Sequence, residues 1–198
     1  MILKDANLGM QFYAEGDFFF LSPDKIKRFF GIDYLPSVNF SKEKDFYLVK
    51  KLSLEAMKDE YLTSEVSWLG NYFSKDLSQK KVTGIYIKKY SLDIGWGAYA
   101  KNSLEEGRFL GEYTGHLRRK FWLFSRANDY CFSYPTSSYF FRQYTIDALL
   151  GGNETRFINH SDVPNCEAIP VFHDGLLKIV FRTVCHIEKD EHLTIDYG

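Results

Sequence analysis

Gly152-Asn153-Glu154-Thr155-Arg156-Phe157-Ile158-Asn159-His160-Ser161 is the stretch of this sequence that decides its fold. Within it, an apolar pair leads directly into the polar triplet Asn159-His160-Ser161. The chain ends further along in Leu193-Thr194-Ile195-Asp196-Tyr197-Gly198, where a short strand pattern is followed by Asp-Tyr-Gly. Either segment alone is weak evidence for a function, and both gain their meaning from the motifs that precede them.

Two glycine-flanked motifs precede these segments, namely Gly95-Trp96-Gly97 and Gly111-Glu112-Tyr113-Thr114-Gly115. The four motifs, taken in this order, resemble the core of the SET-domain protein lysine methyltransferases over roughly residues 84 to 198. The resemblance implies a fold that is mainly β with α and is built from several small sheets. It also implies a knot-like core, in which the last segment threads beneath a loop and brings Asn159 and His160 next to Tyr197.

Composition limits the classes of protein to which this chain can belong. Its 198 residues, 45% of them hydrophobic, are enough for one domain, or for a catalytic domain with a modest extension. A formal net charge of -1 excludes the overall positive electrostatic potential that is typical of nucleic-acid-binding proteins. Direct nucleic-acid binding is therefore not expected, and any basic partner must be recognised by a local group of residues. No apolar run of about 18 residues occurs, so membrane insertion is not expected either.

The three cysteines, Cys131, Cys166 and Cys185, form no CxxC pair. This spacing argues against a disulfide framework and against a structural zinc cluster, and it favours a reduced compartment. The N-terminus lacks the charged and apolar regions of a secretory signal peptide, so Sec-type export is not expected. No metal site is predicted.

The residue pattern divides the chain into a helical N-terminal region, residues 1–82, and a SET catalytic domain, residues 83–198. A short helix is predicted after Ser22, which can cap it with Pro23 at its first position, and Gly31 ends it. Apolar residues at helical spacing predict two more helices, over about residues 45–61 and 64–73. Beyond Lys80, β-branched and aromatic residues predict short strands over about residues 84–90, 109–113, 130–134, 139–147, 176–182 and 192–195.

The resemblance implies methyl transfer from the sulfonium of S-adenosylmethionine to a lysine amine. This is a direct displacement that needs alignment of the reacting atoms and no metal. The amine must first be neutral, and a free lysine at pH 7.4 is only about one part in a thousand neutral, which is equivalent to roughly 4 kcal/mol. A narrow channel of aromatic rings lowers the pKa of the lysine by desolvation, and the cofactor's positive charge lowers it further.

The resemblance also assigns roles to individual residues. Tyr197 matches the catalytic tyrosine, whose hydroxyl lies beside the methyl-transfer path, and Tyr113 matches a second tyrosine of the lysine channel. Each of them, taken singly, is also explained as a packed strand tyrosine. Ile195 lies at a channel position where family members often place Phe or Tyr. Core packing is equally expected for the weaker channel candidates Tyr130, Phe132 and Tyr139.

The residues predicted to bind S-adenosylmethionine are Gly95, Trp96, Gly97, Asn159 and His160. Glycine lets backbone groups approach a ligand without a clash, although a lone GxG pattern is uninformative. Asn159 and His160 match a pair that contacts the cofactor through backbone groups and a side-chain amide. Arg156 either pairs with a nearby carboxylate or faces the pocket. Surface or structural roles are expected for His116, His173, His186 and His192.

One departure from the family pattern concerns zinc. Asp162 stands where many members carry a zinc-binding cysteine, and no cysteine follows Tyr197 in this sequence. Neither that zinc site nor the lid that it orders is therefore expected.

A narrower resemblance is to the short SET proteins of chlamydia-like intracellular bacteria. It rests on Leu117-Arg118-Arg119-Lys120 and on Asn128-Asp129-Tyr130-Cys131-Phe132. It implies a bacterial effector and chromatin regulator that acts on host histones, or an enzyme for bacterial histone-like proteins. The resemblance also implies one of two locations for the protein, namely the bacterial cytoplasm, or the host cell and its nucleus after secretion. The basic run at Arg118 can dock a partner, although such a run is usually a solvated face.

Two other classes of function stay open. The alternative function is a SET-like module that binds basic peptides without turnover. The other is a purely structural role or a homodimer. It would rest on aromatic residues that are buried against the catalytic domain or against a second subunit, namely Phe29, Phe30, Trp68, Tyr72 and Phe73. Scattered acidic residues can attract basic tails without locating a groove, among them Glu105, Glu106, Asp129, Glu154 and Asp174.

Overall fold

The computed structural model describes residues 8–58, 60–91, 95–119, 128–136 and 144–197. Strands predominate in these ranges. The helices are α1 (Pro23–Phe30), α2 (Glu43–Ala56), α3 (Glu60–Tyr72) and α4 (Ser74–Gln79), and a 3-10 helix spans Glu154–Phe157. The strands are β1 (Met10–Ala14), β2 (Asp17–Leu21), β3 (Asp33–Tyr34), β4 (Ile85–Ser91), β5 (Gly95–Ala100), β6 (Phe109–Glu112), β7 (His116–Arg119), β8 (Cys131–Ser133), β9 (Tyr144–Asp147), β10 (Gly151–Gly152), β11 (Asn159–His160), β12 (Cys166–His173), β13 (Leu176–Thr183) and β14 (Thr194–Ile195).

The described strands form several small sheets, as the sequence predicts. The largest has the order β2-β1-β4-β5, and two three-stranded sheets have the orders β12-β13-β6 and β7-β9-β8. Two short parallel pairs, β10 with β3 and β11 with β14, connect distant parts of the chain. Each sheet is too small to bury a core alone, so the sheets depend on packing against one another and against the helices.

The predicted N-terminal helix is confirmed as α1. Ser22 is its N-cap residue, Pro23 occupies its first turn, and Gly31 ends it at φ 70° with an N–H bond to the Lys27 carbonyl. The predicted helix over residues 45–61 is wrong as a single element, because α2 ends at Ala56. The Thr63 hydroxyl donates to the Met57 carbonyl and satisfies an acceptor that the broken helix leaves open.

The N-terminal region also contains a β-hairpin that the residue pattern does not predict. Glu15 and Gly16 both have positive φ, 53° and 93°, as the tight turn between β1 and β2 requires. β1 then pairs in parallel with β4, with Phe12 opposite Ile87. The hairpin is therefore part of the same sheet as β5, which carries the Gly95 motif, and the boundary between residues 82 and 83 stays a prediction.

The C-terminal segment is held on two sides by backbone hydrogen bonds. The Leu193 N–H donates to the Ala98 carbonyl of β5 over 2.9 Å. On the other side β14 pairs in parallel with β11, which places Asn159 opposite Thr194. Leu193 and Ile195 are buried in the core. The chain end therefore lies between two earlier segments, in agreement with the expected juxtaposition of Asn159 and Tyr197.

Phe12 lies at the centre of the core that joins the N-terminal elements to the later motifs. Its ring is fully buried. The ring centroid lies 5.1 Å from that of Phe30, 5.6 Å from that of Trp96 and 6.4 Å from that of Phe157. The hairpin, α1, β5 and the 3-10 helix therefore share one aromatic cluster.

None of the described helices is both long and apolar enough to cross a membrane.

Replacing this central ring tests how far the fold depends on the cluster. Phe12→Ala is expected to lower the free energy of unfolding by about 3–5 kcal/mol, because it removes buried surface and leaves a cavity. The matched control is Phe29→Ala, whose ring is 69% exposed and whose loss is expected to cost less than about 0.5 kcal/mol. Urea denaturation of both variants measures the difference, and equal losses would contradict the central role of Phe12.

Candidate active site

Tyr197 lies at the end of the C-terminal segment, next to the segment that contains Asn159 and His160. Its hydroxyl donates to the Ile158 carbonyl over 3.2 Å, and its backbone N–H donates to His160 Nδ1 over 3.2 Å. Burial raises the pKa of the Tyr197 hydroxyl, and the nearby Tyr130 and Asp129 raise it further. The hydroxyl is therefore protonated at neutral pH and acts through hydrogen bonds, not as a base.

A narrow pocket opens beside this hydroxyl. Most of its wall is aromatic or aliphatic, and polar groups occupy the rest. It is lined by Tyr113, Asp129, Phe132, Thr155, Arg156, Ile158, Phe181, Ile195 and Tyr197. The pocket therefore brings Tyr197, Tyr113, Phe132 and Ile195 together, as predicted. The predicted channel residue Tyr139 lies outside the described residues.

Tyr113 forms one wall of the pocket through its ring. It is buried, its ring stacks on Phe181 at a centroid distance of 5.5 Å, and Phe132 lies 4.6 Å away. Its hydroxyl donates to the Tyr130 carbonyl over 2.7 Å, and burial raises its pKa. The Tyr113 hydroxyl therefore uses its proton in the hydrogen bond to the Tyr130 carbonyl. Its oxygen can still accept a hydrogen bond from another group.

Arg156 lines the pocket, which decides between the two roles that the sequence left open. Its Nε donates to the Ala148 carbonyl over 2.9 Å, and its guanidinium lies 4.4 Å from the centroid of the Tyr130 ring. No carboxylate in the described part of the chain forms an ion pair with it. Burial lowers the pKa of Arg156, but an arginine this basic stays charged. A fixed positive charge therefore adjoins the pocket.

Asn159 occupies the other side of the site, against the Gly95 motif. Its Nδ2 donates to the Trp96 carbonyl over 3.4 Å and lies 3.2 Å from His192 Nε2. A carbonyl can only accept, so Trp96 fixes which end of the Asn159 amide carries the nitrogen. Within the described residues, Oδ1 of Asn159 receives no hydrogen bond and is available to a ligand donor.

Gly97 has no side chain, and this leaves room for the side chains of Asn159 and His192 beside it. A Cβ atom at Gly97 would lie 2.7 Å from His192 Nε2 and 3.2 Å from Asn159 Nδ2, so any larger residue displaces one of them. Gly95 has φ 84°, which favours glycine as well. The glycine backbone at Gly95 and Gly97, next to an amide oxygen that can still accept a hydrogen bond, fits the predicted binding of S-adenosylmethionine.

The side chains of Trp96 and His160 have other tasks than the sequence alone suggests. The Trp96 indole packs edge-on against Phe12 and Phe30, so only its carbonyl reaches Asn159. His160 Nδ1 accepts from the Tyr197 N–H, and its Nε2 lies 3.3 Å from the Asp162 carboxylate. Nδ1 thus holds the C-terminal segment and Nε2 faces Asp162, and the backbone remains as the part of His160 that can bind a ligand.

Several residues of the site were not predicted. Phe181, Thr155 and Asp129 line the pocket, and His192 contacts Asn159. The signal for His192 is the strand alternation of the last segment, where Leu193 and Ile195 point into the core and their neighbours point the other way. No such signal exists for Phe181, because β13 reaches the pocket only through tertiary packing.

Charges outside the pocket also differ from the sequence expectations. The basic run pairs internally where it is described, since Arg118 lies 2.8 Å from Asp147 and Arg119 lies 3.1 Å from Asp45.

Of the aromatic residues considered for a dimer, Phe73 is buried and Phe30 packs in the core cluster. The others are exposed, namely Phe29, Trp68 and Tyr72.

Glu154 cannot attract basic tails, contrary to the sequence expectation, because it is only 8% exposed. Within the described residues its Oε2 has no hydrogen-bond partner. Burial raises the pKa of this carboxyl from 4.5 to about 8, so it is neutral in the folded protein at pH 7.

The raised pKa of Glu154 predicts how stability changes with pH. Its contribution is fully present below pH 4.5 and is lost as the pH rises through about 8, by up to about 1.4 kcal/mol per pH unit. Glu154→Gln keeps the shape and is expected to remove this slope, whereas the control Glu106→Gln, at an exposed position, is expected to keep it. Urea denaturation between pH 5 and pH 8 measures it, and a slope unchanged in Glu154→Gln would contradict the assignment.

Comparison with protein families gives one match that covers the site. The family described as the SET domain matches residues 95–198. A histone-lysine N-methyltransferase of Aspergillus oryzae, described as H3 lysine-4 specific, is 40% identical over 105 residues, which are 52% of this chain and 8% of that protein. Histone-lysine N-methyltransferase EZA1 of Arabidopsis thaliana is 37% identical over 112 residues, which are 52% of this chain and 12% of that protein. The chain thus spans only 8% and 12% of the length of these two relatives.

Solved structures show the same likeness. Polycomb repressive complex 2 of Chaetomium thermophilum matches with a TM-score of 0.52 and 26% identity, over 62% of this chain and 16% of that chain. KRYPTONITE in complex with mCHH DNA, an H3(1-15) peptide and SAH matches with a TM-score of 0.50 and 30% identity, over 61% of this chain and 25% of that chain. These likenesses confirm the predicted fold of several small sheets with helices.

Proposed function

Because the chain belongs to the SET-domain family, which matches residues 95–198, we propose that it is an S-adenosylmethionine-dependent protein-lysine N-methyltransferase. The observation that carries this proposal is the position of Tyr197 in the wall of a narrow pocket, most of whose lining residues are aromatic or aliphatic. Asn159, with its unused amide oxygen, lies on the strand that pairs with the segment leading to Tyr197. The proposed cofactor-binding amide and the proposed lysine pocket therefore lie on neighbouring segments.

The residues that would hold the cofactor are the backbone of Gly95, Trp96 and Gly97, the Asn159 amide and the His160 backbone. When bound, S-adenosylmethionine supplies a methyl group activated by the adjacent sulfonium. Asn159 Oδ1 would accept a hydrogen bond from a cationic amino group. The absence of a Cβ at Gly97 leaves room for the Asn159 amide nitrogen and the His192 ring that hold this orientation.

The pocket itself favours the neutral amine that methyl transfer requires. Phe132, Phe181 and Ile195 exclude water and so penalise a charged ammonium group. The guanidinium of Arg156, which lines the same pocket, repels a second positive charge and lowers the pKa of an inserted lysine further. The hydroxyl of Tyr197 can then orient the neutral nitrogen by a hydrogen bond.

Asp129 gives the pocket a complementary outer charge. It is exposed and belongs to the pocket wall. A carboxylate at this place attracts a protonated lysine from solvent, and the partly buried arginine favours loss of the lysine's proton inside the pocket. This order of charges supports a basic protein as the substrate, and the named relatives are histone-lysine N-methyltransferases. Histones or histone-like basic proteins are therefore the proposed substrate class.

The biological setting is a proposal that rests on sequence resemblance alone. The motifs around Arg118 and Asp129 support a relationship to the short SET proteins of chlamydia-like intracellular bacteria. In that setting the protein is a bacterial effector and chromatin regulator. It would act on host histones after delivery to the host nucleus, or on bacterial histone-like proteins in the cytoplasm.

Incubation with core histones and S-adenosylmethionine labelled on its methyl group tests the proposed activity. The chain is expected to transfer label, and Tyr197→Phe is expected to lower turnover about a hundredfold with cofactor affinity unchanged, because one hydroxyl at the reaction centre contributes roughly 3 kcal/mol. Tyr72→Phe, at a 65% exposed tyrosine, is the matched control and should keep full activity.

The outcomes of this experiment separate the two functions. Unchanged turnover in Tyr197→Phe would remove that hydroxyl from the mechanism. Binding of histone tails without any transfer of label, by a chain that binds the cofactor, would instead indicate the non-catalytic peptide-binding module.

Ile195 predicts how many methyl groups are added. It is buried, lines the pocket and offers no hydroxyl that could hold a water molecule there. A methylated amine fits against an apolar wall better than against a wall that holds a water molecule. Dimethylated or trimethylated lysine is therefore expected among the products. Mass spectrometry of histones at excess enzyme and cofactor measures this, with Tyr197→Phe as the low-turnover control. A product that stops at monomethyl-lysine would contradict the prediction.

A further inference from the structure

His192 lies in a tightly defined position beside the proposed cofactor site. Its ring stacks between those of Tyr90 and Tyr99, at centroid distances of 4.5 and 5.0 Å. Its carbonyl accepts from Asn165 Nδ2 over 2.9 Å, which fixes the backbone as well. The imidazole is therefore held in place independently of any ligand.

The hydrogen bonds around Asn159 decide the protonation state of this ring. The Trp96 carbonyl requires the Nδ2 end of the Asn159 amide to point towards it. The same Nδ2 lies 3.2 Å from His192 Nε2, so Nε2 must be the acceptor. A neutral imidazole with its proton on Nδ1 meets this condition, and an imidazolium does not, because it would oppose two donors.

The surroundings of His192 favour the same neutral form. Burial lowers the pKa of His192 below its usual range. The titratable groups that face it are Tyr90 on β4 and Tyr99 on β5, with Lys88 Nζ 5.5 Å from the Tyr99 ring centroid. Within the described residues no carboxylate lies within ion-pair distance of the ring.

Glu191, the residue before His192, is also charged. Its carboxylate is engaged elsewhere, by Asn165 Nδ2 over 3.1 Å and by the Glu188 N–H over 2.9 Å. Nothing described around the ring therefore compensates a proton on Nε2.

We infer that His192 is a positioning residue for the proposed methyl transfer. As a neutral acceptor it holds the second N–H of Asn159, which leaves Oδ1 presented to the cationic amino group of the cofactor. When the ring is protonated, its Nε2–H opposes the Asn159 N–H, the amide loses its fixed orientation, and the cofactor binds more weakly. The inference rests on the proposed function, because it assigns to Asn159 a role in holding the cofactor.

Calorimetric titration of S-adenosylmethionine at pH 7.5 and pH 5.5 tests this inference on binding alone. The wild-type chain is expected to bind more weakly at the lower pH, by up to about tenfold, which corresponds to the loss of one hydrogen bond. The lowered pKa of His192 keeps part of the rings neutral at pH 5.5 and makes this factor an upper bound. His192→Ala should show a similar loss already at pH 7.5. His192→Gln supplies an amide oxygen that can accept the same bond, so its affinity should be close to wild type at pH 7.5 and independent of pH.

A matched control is His186→Ala, since His186 is exposed and lies near Glu105 and Glu188, away from Asn159. Its binding should keep the wild-type pH dependence. Thermal unfolding of each variant shows whether it is folded, and the flat pH profile of His192→Gln carries the test should His192→Ala not fold.

The outcomes distinguish this inference from the proposed function. A wild-type chain that binds no cofactor at either pH would overturn the proposed function, and the role of His192 with it. A wild-type chain that binds normally, together with His192→Ala that binds equally well, would overturn only the role of His192. A pH dependence that persists in His192→Gln would likewise exclude His192 as its source.

Discussion

The parallel pairing of β11 with β14 is the constraint on which the proposed site depends. It joins residues far apart in sequence, with Asn159 opposite Thr194, and the Leu193 bond to Ala98 holds the same segment from its other side. Backbone hydrogen bonds of this kind fix register, because a slip by one residue would turn Ile195 out of the core. Tyr197 follows two residues after Ile195, so the register of one short pair sets where its hydroxyl lies.

The aromatic cluster around Phe12 transmits this order to the cofactor side. Trp96 packs its indole against Phe12 and Phe30 while its carbonyl fixes the amide of Asn159. The N-terminal hairpin and α1 therefore support the Gly95 motif from behind, although they contribute no residue to the pocket lining. Rigid support of this type is what holds a binding group within the narrow tolerance that a displacement reaction requires.

The site combines charges that would be unfavourable elsewhere. A partly buried arginine lines the pocket, and two residues before it in sequence the buried Glu154 is held neutral by desolvation. Two ionisable groups in one 3-10 helix thus form no ion pair with each other, and within the described residues no carboxylate lies at ion-pair distance from Arg156. This arrangement opposes a cation inside the pocket, and the exposed Asp129 attracts one at its edge.

The sequence alone determined the family of the chain, its mainly β fold with several small sheets, and the short list of residues that meet at the site. These follow from local motifs, since glycines, an Asn-His-Ser triplet and a terminal tyrosine are visible without a structure. It did not predict the β1–β2 hairpin or the break between α2 and α3. The role of Arg156, the burial of Glu154 and the contact between His192 and Asn159 were decided only by the tertiary structure. The physical reason is that orientation, burial and protonation depend on which distant backbone carbonyl or ring a side chain meets, and residue spacing along the chain does not contain that information.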